Sequence, residues 1–493
     1  MAMTLSLADM GAILPEILLA SYACAVLILA AFIPRERGDI LAYASLVALG
    51  LAGFATSRLM WVDLTVLGGM FILDPYSNFF KLVLYGAAAL TILLSLSYLK
   101  QEQIHLGEYY AFILFATCGM MVMVSGADLL MIFLGLELTA LSFYVLAGFK
   151  RFEQKSLEAA SKYFVLGSFS TGILLFGISL VYGLSGTTHL ESLAQHLSSL
   201  IRAGGLDPAW ILAMILLLVG FGFKIAAVPF HMWTPDVYEG APTPIAAFLS
   251  VGSKAASFAV FLRVFLSALG GMEESWRVLL ILLSVLTIFL GNIVAIVQTN
   301  IKRMLAYSSI AHAGYAMIGL LVGTHLGVIS LMLYMLVYAF MNLGAFGVVT
   351  LLRKGGLEGD EITDFAGLAK RNRIAAFAML IFMFSLAGLP PTAGFVGKFY
   401  VFMAAVQADL VWLAVLAVIG SALSAYFYLK VVMVMYMKEP DGEVEIFPAG
   451  AAAVALTVTA VAVLLLGIFP GPVLEVTQQA VLKIAEPLTL AGP

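Results

Sequence analysis

Fourteen stretches, each long and apolar enough to cross a bilayer at about 1.5 Å per residue, follow one another along the whole sequence. They lie at roughly 10–33, 40–60, 74–99, 108–125, 128–149, 158–184, 209–230, 242–268, 276–298, 302–322, 325–352, 373–407, 411–437 and 449–470. Inside a bilayer the backbone has no water to bond to, so each segment must satisfy its own N–H and C=O groups. The expected fold class is therefore an all-α polytopic membrane protein with about 14 transmembrane helices. The segment 373–407 is too long for one straight helix and holds Pro390-Pro391, so it reads as one broken span. The tail 471–493 reads as a short interfacial segment.

The composition excludes several function classes. Of 493 residues, 62% are hydrophobic and 11% charged, where a soluble domain has about 25% charged. No basic patch suits nucleic acid. The two cysteines, Cys24 and Cys118, sit in apolar runs without a CxxC or Cys/His cluster, so no metal or iron–sulfur site is expected. No glycine-rich phosphate loop follows a strand pattern, and no cofactor is expected in this chain. No Lys or Arg precedes Arg35, so the first span is expected to be retained rather than cleaved as a signal peptide.

Charge placement orients the spans. Alternate loops carry fifteen basic residues (Arg35, Arg37, Lys100, Lys150, Arg151, Lys155, Lys162, Lys302, Arg303, Arg353, Lys354, Lys370, Arg371, Arg373 and Lys438) against three, Arg58, Arg202 and Arg277. The positive-inside rule puts the loops after odd-numbered spans in the cytoplasm and both termini outside.

Two stretches share a design. "GFGFKIAAVPFHMWTP" (220–235) and "LAGLPPTAGFVGKFYVF" (386–402) are apolar, broken by proline, and hold one lysine each, Lys224 and Lys398. These lie in the seventh and twelfth spans. Five spans is an odd number, so units 4–8 and 9–13 would be two inverted five-helix repeats, with helices 7 and 12 broken. Transporters place broken helices at corresponding positions of such repeats, near the ion site. The expected organisation is a three-helix segment at 1–106, a first repeat at 107–270, an inverted repeat at 271–440, and a last helix with its tail at 441–493.

Four ionisable residues lie deep in spans: Glu137, Lys224, Lys254 and Lys398. A central charge costs a few kcal/mol in lipid, so it faces the interior and is paired or functional. A Glu137–Lys224 ion pair with the other lysines snorkelling is the plainer reading. Snorkelling suits Lys81, Arg263 and Lys430, nearer span ends, but not Lys254 or Lys398. Burial lowers a lysine's proton affinity and a nearby carboxylate raises it, so such a set can hold and release protons. Ser308, His312 and Tyr315 fall at i, i+4 and i+7 on one helix face, either a water wire with His312 as a relay or hydrogen-bonding glue between helices. His231, just past the Pro229 break, reads as interfacial. Asp128, Asp236 and Glu239 read as capping or solvated groups.

These stretches, together with "GFKIAAVPFHMWTPDVYEGAPTP" (222–244), "SKAASFAVFLR" (253–263) and "IKRMLAYSSIAHAGY" (301–315), resemble the antiporter-like membrane subunits of respiratory complex I over nearly the whole chain. The likeness is greatest to the N type of bacterial NADH–quinone oxidoreductase, since position 398 is lysine and no long lateral helix follows span fourteen. The resemblance implies a bacterial inner-membrane subunit that translocates protons, driven by NADH oxidation and quinone reduction in other subunits. Its partners would be neighbouring membrane subunits of that complex and lipid. It implies Glu137 and Lys224 as the coupling pair, Lys254 as the central relay and Lys398 on the exit branch. A subunit of a multisubunit cation/proton antiporter and a non-pumping structural subunit are the alternatives.

Overall fold

The structure, a computed structural model, describes residues 7–489 except 35–36, 105, 204, 206, 355–356, 441–443 and 447–449. Arg35, counted above among the loop charges, lies outside the described residues, as do 490–493 of the tail. Ten described helices of 18 residues or more are apolar enough to cross a membrane, and five shorter apolar helices join them. The chain is an all-α, multi-span membrane protein.

The helices begin and end where side chains settle their unpaired backbone groups. Asp74 and Ser77 form a reciprocal cap at the start of Pro75–Gln101. Asp128, Asn300, Thr324 and Asn372 cap the helices that follow them. Two apolar segments break as their prolines predict. Helix Pro208–Lys224 stops at the lysine, and an irregular stretch follows before Trp233–Gly240. Helix Arg373–Ala387 stops at Gly388, and Ala393–Gln407 follows. Each interruption turns through a residue of positive φ, Ala226 (60°) and Gly388 (84°).

Burial sorts the helices into an inner and an outer set. The apolar window of Thr243–Ala268 is 100% buried and that of Ile301–Leu321 94%, whereas Gly450–Ile468 is 28% buried and shows Val454, Val458, Val461 and Leu465 outward. Asp39–Arg58, Gln154–Ser185 and Val411–Met437 are similarly peripheral. The helices holding Lys254 and His312 are thus shielded by a ring of others. The Lys254 helix is itself irregular: π-helical turns at Leu249–Ser253 and Arg263–Ala268 flank the regular stretch Lys254–Leu262. Such turns widen a helix and are common at functional sites.

Several features were not anticipated. An amphipathic helix, Leu190–Arg202, lies between the sixth and seventh spans. The tail is a helix, Gly471–Thr489, rather than a short segment. Small sheets join loops: Leu64–Val66 with Phe71–Leu73, and Leu352–Lys354 between Leu357–Glu358 and Val444–Ile446.

Candidate functional site

Lys224, Lys254, Lys398 and His312 are all buried, at 5%, 2%, 4% and 2% exposure, so none of these lysines snorkels to an interface. Lys254 donates to Ser309, to its carbonyl at 2.5 Å and its Oγ at 2.6 Å. His312 lies one turn further along that helix. Its Nδ1 is 2.7 Å from the Tyr334 hydroxyl, and its Nε2 is 3.2 Å from that of Tyr428, which is 2.5 Å from Ser308 Oγ. Tyrosine and serine hydroxyls both give and accept, so this Ser308–Tyr428–His312–Tyr334 row can run in either direction once the hydroxyls rotate and His312 changes tautomer.

Lys398 occupies the second break. Ending a helix strands its last carbonyls and concentrates negative dipole there. The Lys398 amine meets that need, donating to Leu386 O and Ala387 O at 3.0 Å each and to Ser421 Oγ at 2.9 Å. It also lies 5.1 Å from the centre of the Tyr315 ring, on the His312 helix. Gly388 makes room, since a Cβ there would sit 2.8 Å from Lys398 Cδ. Ser385 Oγ accepts from Gly394 N–H at 3.0 Å, tying the two half-helices together. A cavity of about 590 Å³, lined by Lys398, Ser421, Phe399 and Phe402 among others, adjoins the amine.

Glu137 and Lys224 are not joined. Glu137 Oε1 is buried without a hydrogen-bond partner, and no ion pair links it to Lys224 among the described residues; their charges act across a gap. The expected contact between them is not made, and no hydrogen bond among the described residues ties Lys224 to Lys254.

Two expected snorkelling residues are corrected. Lys81 is fully buried and lies 2.7 Å from Glu16, and Arg263 pairs with Asp74 at 3.0 Å. Both cations sit near span ends, but a buried carboxylate from elsewhere in the chain holds each inside. Lys430 is part-buried, near Gln298 O at 3.5 Å. Of the three acids read as capping or solvated, Asp128 does cap its helix. Asp236 and Glu239 instead clamp Arg303, each at 2.8 Å, and Asp236 also pairs with Lys162 and Glu239 with Lys155. Burial would raise these two carboxyls, but the cations pull both below the ordinary range.

The sequence from 126 to 424 matches the profile of the NADH:quinone oxidoreductase/Mrp antiporter transmembrane family. NADH-quinone oxidoreductase subunit N of Trichlorobacter lovleyi is 47% identical over 475 residues, 96% of this chain and 97% of that one. The chain belongs to the subunit N family of NADH-quinone oxidoreductases. Among solved structures, a chain of respiratory complex I from Thermus thermophilus with bound aureothin is similar at 34% identity and TM-score 0.79, covering 94% of this chain and 98% of that one. A chain of the Mrp complex from Dietzia shares the fold, with 21% identity and TM-score 0.82 over 96% and 98% of the two chains.

For this subunit N relative, sequence reasoning missed an ionic cluster built on Glu358. Its carboxylate accepts from Lys150 at 2.7 Å, Lys302 at 2.8 Å and Thr243 Oγ1 at 2.9 Å, and also from the Tyr98 hydroxyl. Glu102 joins through Lys150 at 2.8 Å and through Arg353, and Asp360 through Lys302 at 3.2 Å. Several basic residues used above for orientation are therefore partnered, which leaves the charge bias itself unchanged. The available signal was the acids in the same loops, Glu102, Glu358 and Asp360.

Proposed function

We propose that this chain is a proton-translocating membrane-arm subunit of NADH-quinone oxidoreductase, moving protons between buried groups while other subunits oxidise NADH and reduce quinone. One observation carries the reading: two buried amines, Lys254 and Lys398, flank a hydrogen-bonded His312–tyrosine row centred on the shielded helix Ile301–Leu321. A buried amine releases its proton more readily than one in water and regains it when a carboxylate's charge draws near. Glu137 and Lys224, separated in this structure, are the pair whose approach would modulate that affinity. Lys254 is then the central relay, His312 the link, and Lys398 the outward branch.

The finer architecture belongs to the same proposal. Counting the two halves around Gly388 as one broken helix, the fifteen apolar helices make fourteen spans. The paired breaks, each with a lysine and a positive-φ residue, support inverted repeats at 107–270 and 271–440, after a three-helix segment at 1–106 and before 441–493. The basic loops support a bacterial inner membrane with both termini periplasmic. Near-full-length identity to a subunit N favours this over the cation/proton antiporter, whose likeness here extends to the fold alone.

The test is in two parts. The chain should co-purify with flavin- and iron–sulfur-bearing subunits, and isolation as a cation exchanger without them would favour the antiporter. In the assembled enzyme, Lys224→Ala should lower the proton-to-electron ratio, and a normal ratio would count against the relay.

A further inference from the structure

The Glu358 cluster is more than a fastening between loops. A purely structural clamp leaves no member wanting, yet Asp360 Oδ1 is buried with no partner while the side chain as a whole is 21% exposed. The two carboxylates share Lys302 and differ in kind. Burial would raise Glu358, but Lys302 and Lys150 hold it well below the ordinary range, whereas burial lifts Asp360 to about 6. One stays ionised, and the other exchanges a proton near neutral pH.

From this cluster a line of polar side chains runs toward Lys254. Thr243, bonded to Glu358, starts the helix on which Ser250 and Lys254 follow at i+7 and i+11, all on one face. Facing it, helix His325–Val349 presents Tyr334, Tyr338 and Asn342 at i, i+4 and i+8. Asn342 Nδ2 donates to Ser250 Oγ at 2.5 Å, and Tyr334 meets His312. Around this line the buried Tyr338 hydroxyl interacts with Ser250 and Ser309 and that of Tyr238 with Ser309, while Asn342 Oδ1 is buried without a partner, although buried polar groups are nearly always satisfied by protein or ordered water. The gap from Thr243 to Ser250, about 10 Å along the helix, is short enough for a few waters to bridge.

We propose that Asp360 is the cytoplasmic loading site for protons bound for Lys254, delivered past the Lys302–Glu358 ion pair and along the Thr243–Ser250–Asn342–Tyr338 column. A hydronium ion protonates the Asp360 carboxylate. Asp360 then releases that proton to water beside the Lys302–Glu358 ion pair, which keeps its charges. Water at Thr243 takes the proton on, and the column carries it to the neutral Lys254 amine. Each step breaks one N–H or O–H bond and makes another. This rests on the proton-translocating reading above.

The test uses the assembled enzyme in proteoliposomes, with normal flavin and iron–sulfur content as proof of assembly. Asp360→Asn should lower the proton-to-electron ratio as far as Lys398→Met does, and Asp360→Glu should restore it. An unchanged ratio in Asp360→Asn while Lys398→Met lowers it overturns the loading site; if neither lowers it, the relay itself fails. Equal losses in the Asn and Glu variants would make Asp360 a structural clamp and overturn the proposal too. Hydroxyl-radical footprinting of the unmodified enzyme needs no variant to fold. Tyr238 and Tyr338 should label severalfold faster than the equally buried Tyr109, which bonds Ser95 outside the column. Labelling no faster than Tyr109 means a dry column and overturns the proposal.

Discussion

At the scale of single residues, Lys254 and Lys398 stay in the membrane because oxygens take their hydrogen bonds. Lys398 caps the carbonyls freed by the break, and Lys254 rests on Ser309. Charge-assisted bonds of this kind contribute about 1.5–3 kcal/mol each. Ser421→Ala removes one of three acceptors from Lys398, so the assembled enzyme should lose no more than about 3 kcal/mol of stability, with turnover changed less than in Lys398→Met. Gly388→Ala is expected to be worse. Its Cβ meets Lys398 Cδ at 2.8 Å and the position has φ 84°, so the amine must move off its carbonyls. Proton-to-electron ratio and thermal unfolding, measured together, check both. Much of this scale was legible: buried lysines beside prolines stand out in an apolar sequence. Their partners did not. Glu16 holds Lys81 and Asp74 holds Arg263, each from a distant part of the chain, and no local pattern says which carboxylate will arrive.

Among elements, the breaks do most to shape the site, and they were readable because proline removes a donor wherever it falls. How closely the two halves of a broken helix pack was not readable, since it depends on a glycine meeting a backbone. A Cβ on Gly394 would lie 1.7 Å from Ser385 O, so the half-helices touch backbone to backbone. Gly394→Ala should therefore force them apart at a cost of about 3 kcal/mol or more and sharply reduce the yield of assembled enzyme. Gly86→Ala, in a helix with nothing within 4 Å of the new methyl, should assemble normally. The π-helical turns flanking Lys254 left no trace in the hydropathy pattern, because they change the helix pitch and not its apolar character.

Across the whole molecule, charge is sorted into a shielded interior and paired clusters at the loop ends. That the chain is an all-α protein of many membrane spans was legible because it depends on long apolar runs alone. The pairing of the loop bases with Glu358, Asp236 and Glu239 was not, since it joins loops that only the fold brings together. The Arg303 clamp has a defined pH window. Asp236 and Glu239 are held below their ordinary values, so their contribution is full above about pH 5 and is lost as pH falls through their folded-state values. Amide exchange over Trp233–Gly240 should thus show constant protection from about pH 6 to 8 and lose it below about pH 4. Loss of protection near neutral pH would mean the clamp is held by something else.

The central claim, that buried amines carry the protons, meets its most direct test in Lys254→Met, which keeps side-chain length and removes the charge. In proteoliposomes holding the assembled enzyme, NADH oxidation by an artificial acceptor should stay normal while protons moved per electron fall. An unaltered ratio with intact assembly would contradict the account.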